Sequence, residues 1–133
     1  MNKLKIYTSS YNKIKYAKEG RFILVDITRG NKPKWFDPDV YRLQWLAPSW
    51  ELLKGFKAGS ITWEDYVKIY WEDVLSRYSK DQIIRVLERL SDKCGDKDIV
   101  LLCHCGSYNS CHRSLVGQYI GAEEMSENVI YNV

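Results

Sequence analysis

Two near-continuous apolar runs, Phe22-Ile23-Leu24-Val25-Asp26-Ile27 and Ile99-Val100-Leu101-Leu102, constrain this chain more than any other feature. A strand with one face in water alternates polar and apolar residues. A strand of four to six residues that does not alternate must be covered on both faces, as in the parallel sheet of an α/β protein. The segment before the first run fits that reading. Leu4 to Thr8 alternates and ends at Ser9-Ser10, and Tyr11 to Lys18 has helical character up to Gly20, so the chain opens β-α-β.

Between the two runs the pattern is mostly helical. Ser49 to Phe56 places Leu52, Leu53 and Phe56 on one face. Thr62 reads as an N-cap before the acidic first turn Glu64-Asp65 of a helix from Trp63 to about Tyr78. A further helix, from Lys80 or Asp81 to just before Cys94-Gly95, has Ile83, Ile84, Val86, Leu87 and Leu90 as its core side. A last helix spans Ser114 to Ile120, and Asn128 to Val133 has the composition of a closing strand. The expectation is a single α/β domain over 1–133, Rossmann-like and three-layered, with a mainly parallel sheet and a helical insertion at about 48–93.

At 133 residues the chain is long enough to bury a core without disulfides or metal. No stretch approaches the roughly 20 apolar residues of a membrane span, and the N-terminus enters a strand pattern without a signal-peptide core. A cytoplasmic, non-membrane protein is therefore expected, with its four cysteines as thiols, thiolates or metal ligands rather than disulfides.

Three of those cysteines and both histidines fall between Cys103 and His112. This cluster lies between the apolar run ending at Leu102 and the helix after Arg113, the strand-to-helix position at which open α/β sheets bind ligands. Three chemistries fit it. Cys111, beside His112, Arg113 and a helix N-terminus, has the setting that favours a thiolate, and Cys103 faces the same loop. Arg29 and Arg113, with Lys32, Lys34 and Ser114 as supplements, fit a phosphate-bearing small molecule or nucleotide, because guanidinium groups grip such anions through paired hydrogen bonds. The alternative for both arginines is to hold loops through backbone carbonyls or Asp26. Cys103, Cys105, Cys111 and His112, with His104 nearby, also supply soft metal ligands, although C-x-C-x5-C-H is not a usual zinc spacing.

The net charge of +3 is mild but uneven. Nine lysines and arginines from Lys3 to Lys34 face only Glu19 and Asp26 in the same stretch, which points to an anionic ligand or simply to a solvated surface. Lys32-Pro33-Lys34-Trp35-Phe36 mixes cations with aromatics able to stack on bases, so a nucleic-acid partner stays open, although the acidic helix around Glu64, Asp65, Glu72 and Asp73 does not extend a basic stripe.

Several motifs resemble the family catalogued as domain of unknown function 488. They are Ile6-Tyr7-Thr8-Ser9, the basic loop from Asp26 to Phe36, Leu46-Ala47-Pro48-Ser49 with Leu52-Leu53, Ile61-Thr62-Trp63-Glu64-Asp65-Tyr66 with Tyr70, and Leu101-Leu102-Cys103 followed by Cys111-His112-Arg113-Ser114-Leu115-Val116. The resemblance covers nearly the whole chain. It implies a compact α/β fold and brings no settled activity. One departure stands out: an aromatic residue and then Glu commonly follow the first signature Cys, whereas this chain has His104 and Cys105. On the residues, Cys103, Cys111 and His112 are the catalytic candidates, and Arg29, Lys32, Lys34, Arg113 and Ser114 the ligand-binding ones. No cofactor is called for, and the alternative is a noncatalytic nucleic-acid-binding or metal-binding module.

Overall fold

The computed structural model of the chain describes residues 4–14, 20–104 and 110–125. Five strands, β1 (Ile6–Ser10), β2 (Ile23–Asp26), β3 (Tyr41–Arg42), β4 (Ile99–Cys103) and β5 (Glu123–Glu124), form one sheet in the order β3-β2-β4-β1-β5. Every neighbouring pair is parallel. The two apolar runs are adjacent: β4 pairs with β2 on one side and β1 on the other, and all five of its residues are buried. This is the α/β fold expected from the absence of alternation, with three α-helices in the chain between β3 and β4.

The pleat of β4 divides the core. Ile99 and Leu101 join Ile23, Val25, Tyr70, Ile83, Leu87 and Val116 in the larger cluster, while Val100 and Leu102 pack with Tyr11, Ile14, Phe22, Phe36 and Met125 in a second one. The larger cluster lies under α2 (Trp50–Lys57), α3 (Trp63–Asp73), α4 (Lys80–Lys93) and α5 (His112–Ile120), and the second is covered by α1 (Tyr11–Ile14) and the segment after β2.

The helix starts follow local chemistry. Ser49, Thr62 and Ser79 accept hydrogen bonds from the Leu52, Asp65 and Gln82 amides, and the Gln82 side-chain oxygen accepts from the Ser79 amide in a capping box. The helix from Trp63 ends earlier than the periodicity predicts. It stops at Asp73 and gives way to a 3-10 turn over Leu75–Arg77. The Ser76 hydroxyl donates to the Glu72 carbonyl at 2.8 Å, competing for a helical acceptor, and adjacent Val74 and Leu75 both reach the core. The last helix begins at His112 rather than Ser114, because the Ser114 amide and hydroxyl both donate to the Cys111 carbonyl, at 3.0 and 2.7 Å, and close the first turn there. Strands β3 and β5 were not expected. The proposed closing strand at 128–133 and residues 15–18 of the first helix lie outside the described residues.

Tyr70 links this scaffold to the sheet edge. It is fully buried, donates to the Leu46 carbonyl at 2.5 Å, and meets the His112 ring edge-on with centroids 5.7 Å apart. Replacing Tyr70 by Phe should preserve the ring contact and orphan the Leu46 carbonyl. Chemical denaturation should read a loss of about 1–2 kcal/mol without a change in denaturant slope.

Candidate active site at the carboxyl edge of the sheet

Parallel pairing brings the ends of all five strands to one edge, and there the chain collects Ser10, Asp26, Arg42, Cys103 and Glu124. Cys103 closes the central strand, and Cys111 is the N-cap of α5. Their sulfurs are 2.7 Å apart, and both residues are 1 % exposed.

Arg113 lies beneath this pair with no exposed surface. Its Nε and Nη2 donate to the two carboxylate oxygens of Glu124 at 3.1 and 2.9 Å, a bidentate pairing, and its Nη1 donates to the Cys103 sulfur at 2.8 Å. Burial by itself opposes the arginine's charge. The bonds to Glu124, followed by the interaction with the Cys103 sulfur, outweigh it, and the pKa of Arg113 is raised. Glu124 shows the converse balance. Burial opposes ionisation, but bonds from Arg113, Lys13 and Thr8 hold its carboxyl below the usual glutamate range.

His112 adds a proton acceptor. Its Nε2 lies 2.7 Å from the Ile27 carbonyl, which can only accept, so Nε2 carries the hydrogen. In the neutral ring Nδ1 then presents a lone pair, and it faces the Cys111 sulfur at 3.8 Å. A carbonyl beyond β2 thus selects the histidine tautomer on α5, which is possible because β2 and β4 are neighbours.

A third group borders the cysteines. The Tyr11 hydroxyl donates to Asp26, whose other oxygen accepts from the Thr28 amide and hydroxyl at 2.6 and 2.5 Å. Burial, the bond to Asp26 and the Asp26 charge, with a contribution from Cys103, raise the Tyr11 pKa, so its phenol keeps its proton. His104 packs on the Tyr11 ring and donates from Nε2 to the Asn31 carbonyl at 2.9 Å, which ties the end of β4 to the basic loop.

Of the residues singled out from sequence, the structure brings together Cys103, Cys111, His112, Arg113 and Ser114. It does not present Arg113 as an open anion grip, because the two-nitrogen edge of its guanidinium is occupied by Glu124. The hydroxyl of Ser114 closes the first turn of α5. Arg29 donates to the carbonyls of Pro48 and Ala47 at 3.1 and 3.2 Å, and Lys32 to that of Pro38 at 2.8 Å, so both hold loops together. Lys34 is exposed. Cys105 lies outside the described residues, and among the described ones no group of three or more His, Cys, Asp or Glu side chains is placed to hold a metal. A cleft of about 500 Å³ lined by Lys5, Arg89, Asp92 and Asp98 shares no residue with the cysteine cluster. Sequence reasoning missed Tyr11, the carboxylate role of Asp26, and Glu124.

A family model described as the active DUF488-N3 subclade, DUF488-N3a, matches residues 6–124. The chain belongs to DUF488-N3a. The match runs from the first residue of β1 to the last of β5, so in this DUF488-N3a protein Glu124 falls inside the family unit along with the cysteines. No curated protein and no solved structure matches the chain.

The depressed Glu124 pKa has a pH signature. Because the folded value lies below the unfolded one, its contribution is present above the usual 4.5 and fades as pH falls through the lower folded value. Glu124→Gln should lower stability by about 2 kcal/mol at neutral pH, by leaving the buried Arg113 charge poorly matched. Unfolding curves of the two proteins should converge as the medium is acidified.

Proposed function

We propose that this protein is a thiol-dependent enzyme whose nucleophile is Cys103, acting on a phosphate-bearing small molecule or nucleotide at the carboxyl edge of the sheet. The observation that carries the reading is the guanidinium of Arg113 donating to the Cys103 sulfur while Cys111 lies at 2.7 Å on its other side. A cation that hydrogen-bonds a sulfur favours the thiolate over the thiol, and the thiolate is the reactive form. Two buried thiolates in contact would repel, so the pair holds one proton, on Cys111, whose S–H can donate to Cys103 or to His112 Nδ1.

The roles follow from this arrangement. Cys103 attacks the electrophilic atom of the substrate, Arg113 is a positioning residue that keeps the sulfur charged, and Cys111 with His112 supplies or removes the proton of the leaving group. Glu124 fixes the guanidinium plane. The anionic part of the ligand is assigned to the rim, where Lys34 is exposed and Trp35, half exposed beside it, offers an aromatic surface for a base.

Thiolate ultraviolet absorbance, followed against pH in a Cys94→Ser/Cys105→Ser background, tests the reading without a substrate. A thiolate should persist well below the ordinary cysteine value of about 8.5 and vanish in the additional Cys103→Ser variant. Absorbance that rises only near the ordinary value, in the native protein as in the denatured one, would overturn it.

A further inference from the structure

We infer that Cys103 and Cys111 are a reversible dithiol–disulfide pair, closed by a small hydroperoxide and reopened by a dithiol reductant, so that oxidation silences the site. The inference rests on the thiolate reading of Cys103 for its first step, and on geometry for the rest.

The two sulfurs come from backbone elements fixed independently, the end of the central strand and the N-cap of α5, yet they stand 2.7 Å apart. A disulfide bond is about 2.05 Å long, so closure asks for a displacement of about 0.7 Å. Folding has already brought the two ends of the 103–111 segment together, and oxidation adds little loop-closure cost. Cys94 has a different environment: it lies at the end of α4, where its sulfur is 3.3 Å from the Tyr41 hydroxyl. Both cysteines are 1 % exposed, and hydrogen peroxide is a small oxidant able to reach them.

The chemistry balances in two steps. The Cys103 thiolate attacks one oxygen of hydrogen peroxide, an S–O bond forms as the O–O bond breaks, and hydroxide leaves to be protonated to water. Cys111 then gives up its proton to His112 Nδ1 and attacks the Cys103 sulfur. The S–S bond forms as the S–O bond breaks, and the departing hydroxide takes a proton to become the second water. Each sulfur loses one electron, and the peroxide gains two. A dithiol reverses this by exchange through a mixed disulfide. In the closed form Cys103 is no longer a nucleophile, and Arg113 Nη1 loses the negative charge it faced.

The test treats the reduced full chain with a stoichiometric amount of hydrogen peroxide, alkylates it under denaturing conditions, and maps the cysteines by mass spectrometry. The expected product has lost two hydrogens, carries a Cys103–Cys111 cross-link, and is restored by dithiothreitol. After oxidation, labelling of Cys103 by a small electrophile should fall to background. Cys111→Ser should stop at a dimedone-trappable sulfenic acid on Cys103. A native protein in which both residues stay as thiols while Cys94 or Cys105 is oxidised would overturn the inference, as would a cross-link joining Cys105 instead. Failure here with a persistent thiolate in the absorbance titration removes only the switch. A cross-link without that thiolate removes the catalytic reading and leaves the pair.

Discussion

A guanidinium with no exposed surface has to find its compensating charge inside the protein, and the carboxyl edge of this sheet is organised around that requirement. Arg113 meets it with Glu124 on one side and the Cys103 sulfur on the other. Removing water from a cation costs several kcal/mol, which only well-oriented partners offset. The arginine sits in the first turn of α5, Glu124 on the outermost strand and Cys103 on the central one, so one side chain correlates the positions of three elements. The cysteine chemistry follows from this. A sulfur that accepts a hydrogen bond from a buried cation stands where the charged form is favoured over the neutral one, and the packing that folds the chain sets that arrangement.

Most of the scaffold was readable from the sequence because it rests on local patterns. The unbroken apolar runs require a covered parallel sheet, and Ser49, Thr62 and the Ser79–Gln82 pair mark helix starts through bonds three residues long. The site was readable in part. Cys103, Cys111 and His112 stood out by composition, and their convergence follows from the strand-loop-helix order. What could not be read depended on partners with no sequence signal. Two glutamates in a row argue against a strand, so β5 was invisible, and with it the partner of Arg113. The sequence accordingly offers Arg113 a ligand, backbone carbonyls or Asp26 as partners, but not Glu124.

Tyr11 was hidden for a related reason. A tyrosine after Ser9-Ser10 reads as the apolar face of a short helix, and it does pack in the second core cluster. Its hydroxyl, however, crosses from the end of β1 to Asp26 at the end of β2. These strands are separated in the sheet by β4, a placement that only the topology reveals. Asp26 had been the one polar residue in an otherwise apolar run, and a buried carboxylate that accepts three hydrogen bonds explains why the run tolerates it.

The outer position of Glu124 gives the fold an unusual economy. Edge strands of two residues are the parts of a sheet that open first, since few backbone bonds hold them. Here β5 is held additionally by the Glu124 side chain, through Arg113, Lys13 and the Thr8 hydroxyl. Fraying of that margin therefore does more than expose two amides. It withdraws the carboxylate from the buried guanidinium, so the local breathing of the periphery reaches the same side chain that donates to the sulfur on the central strand.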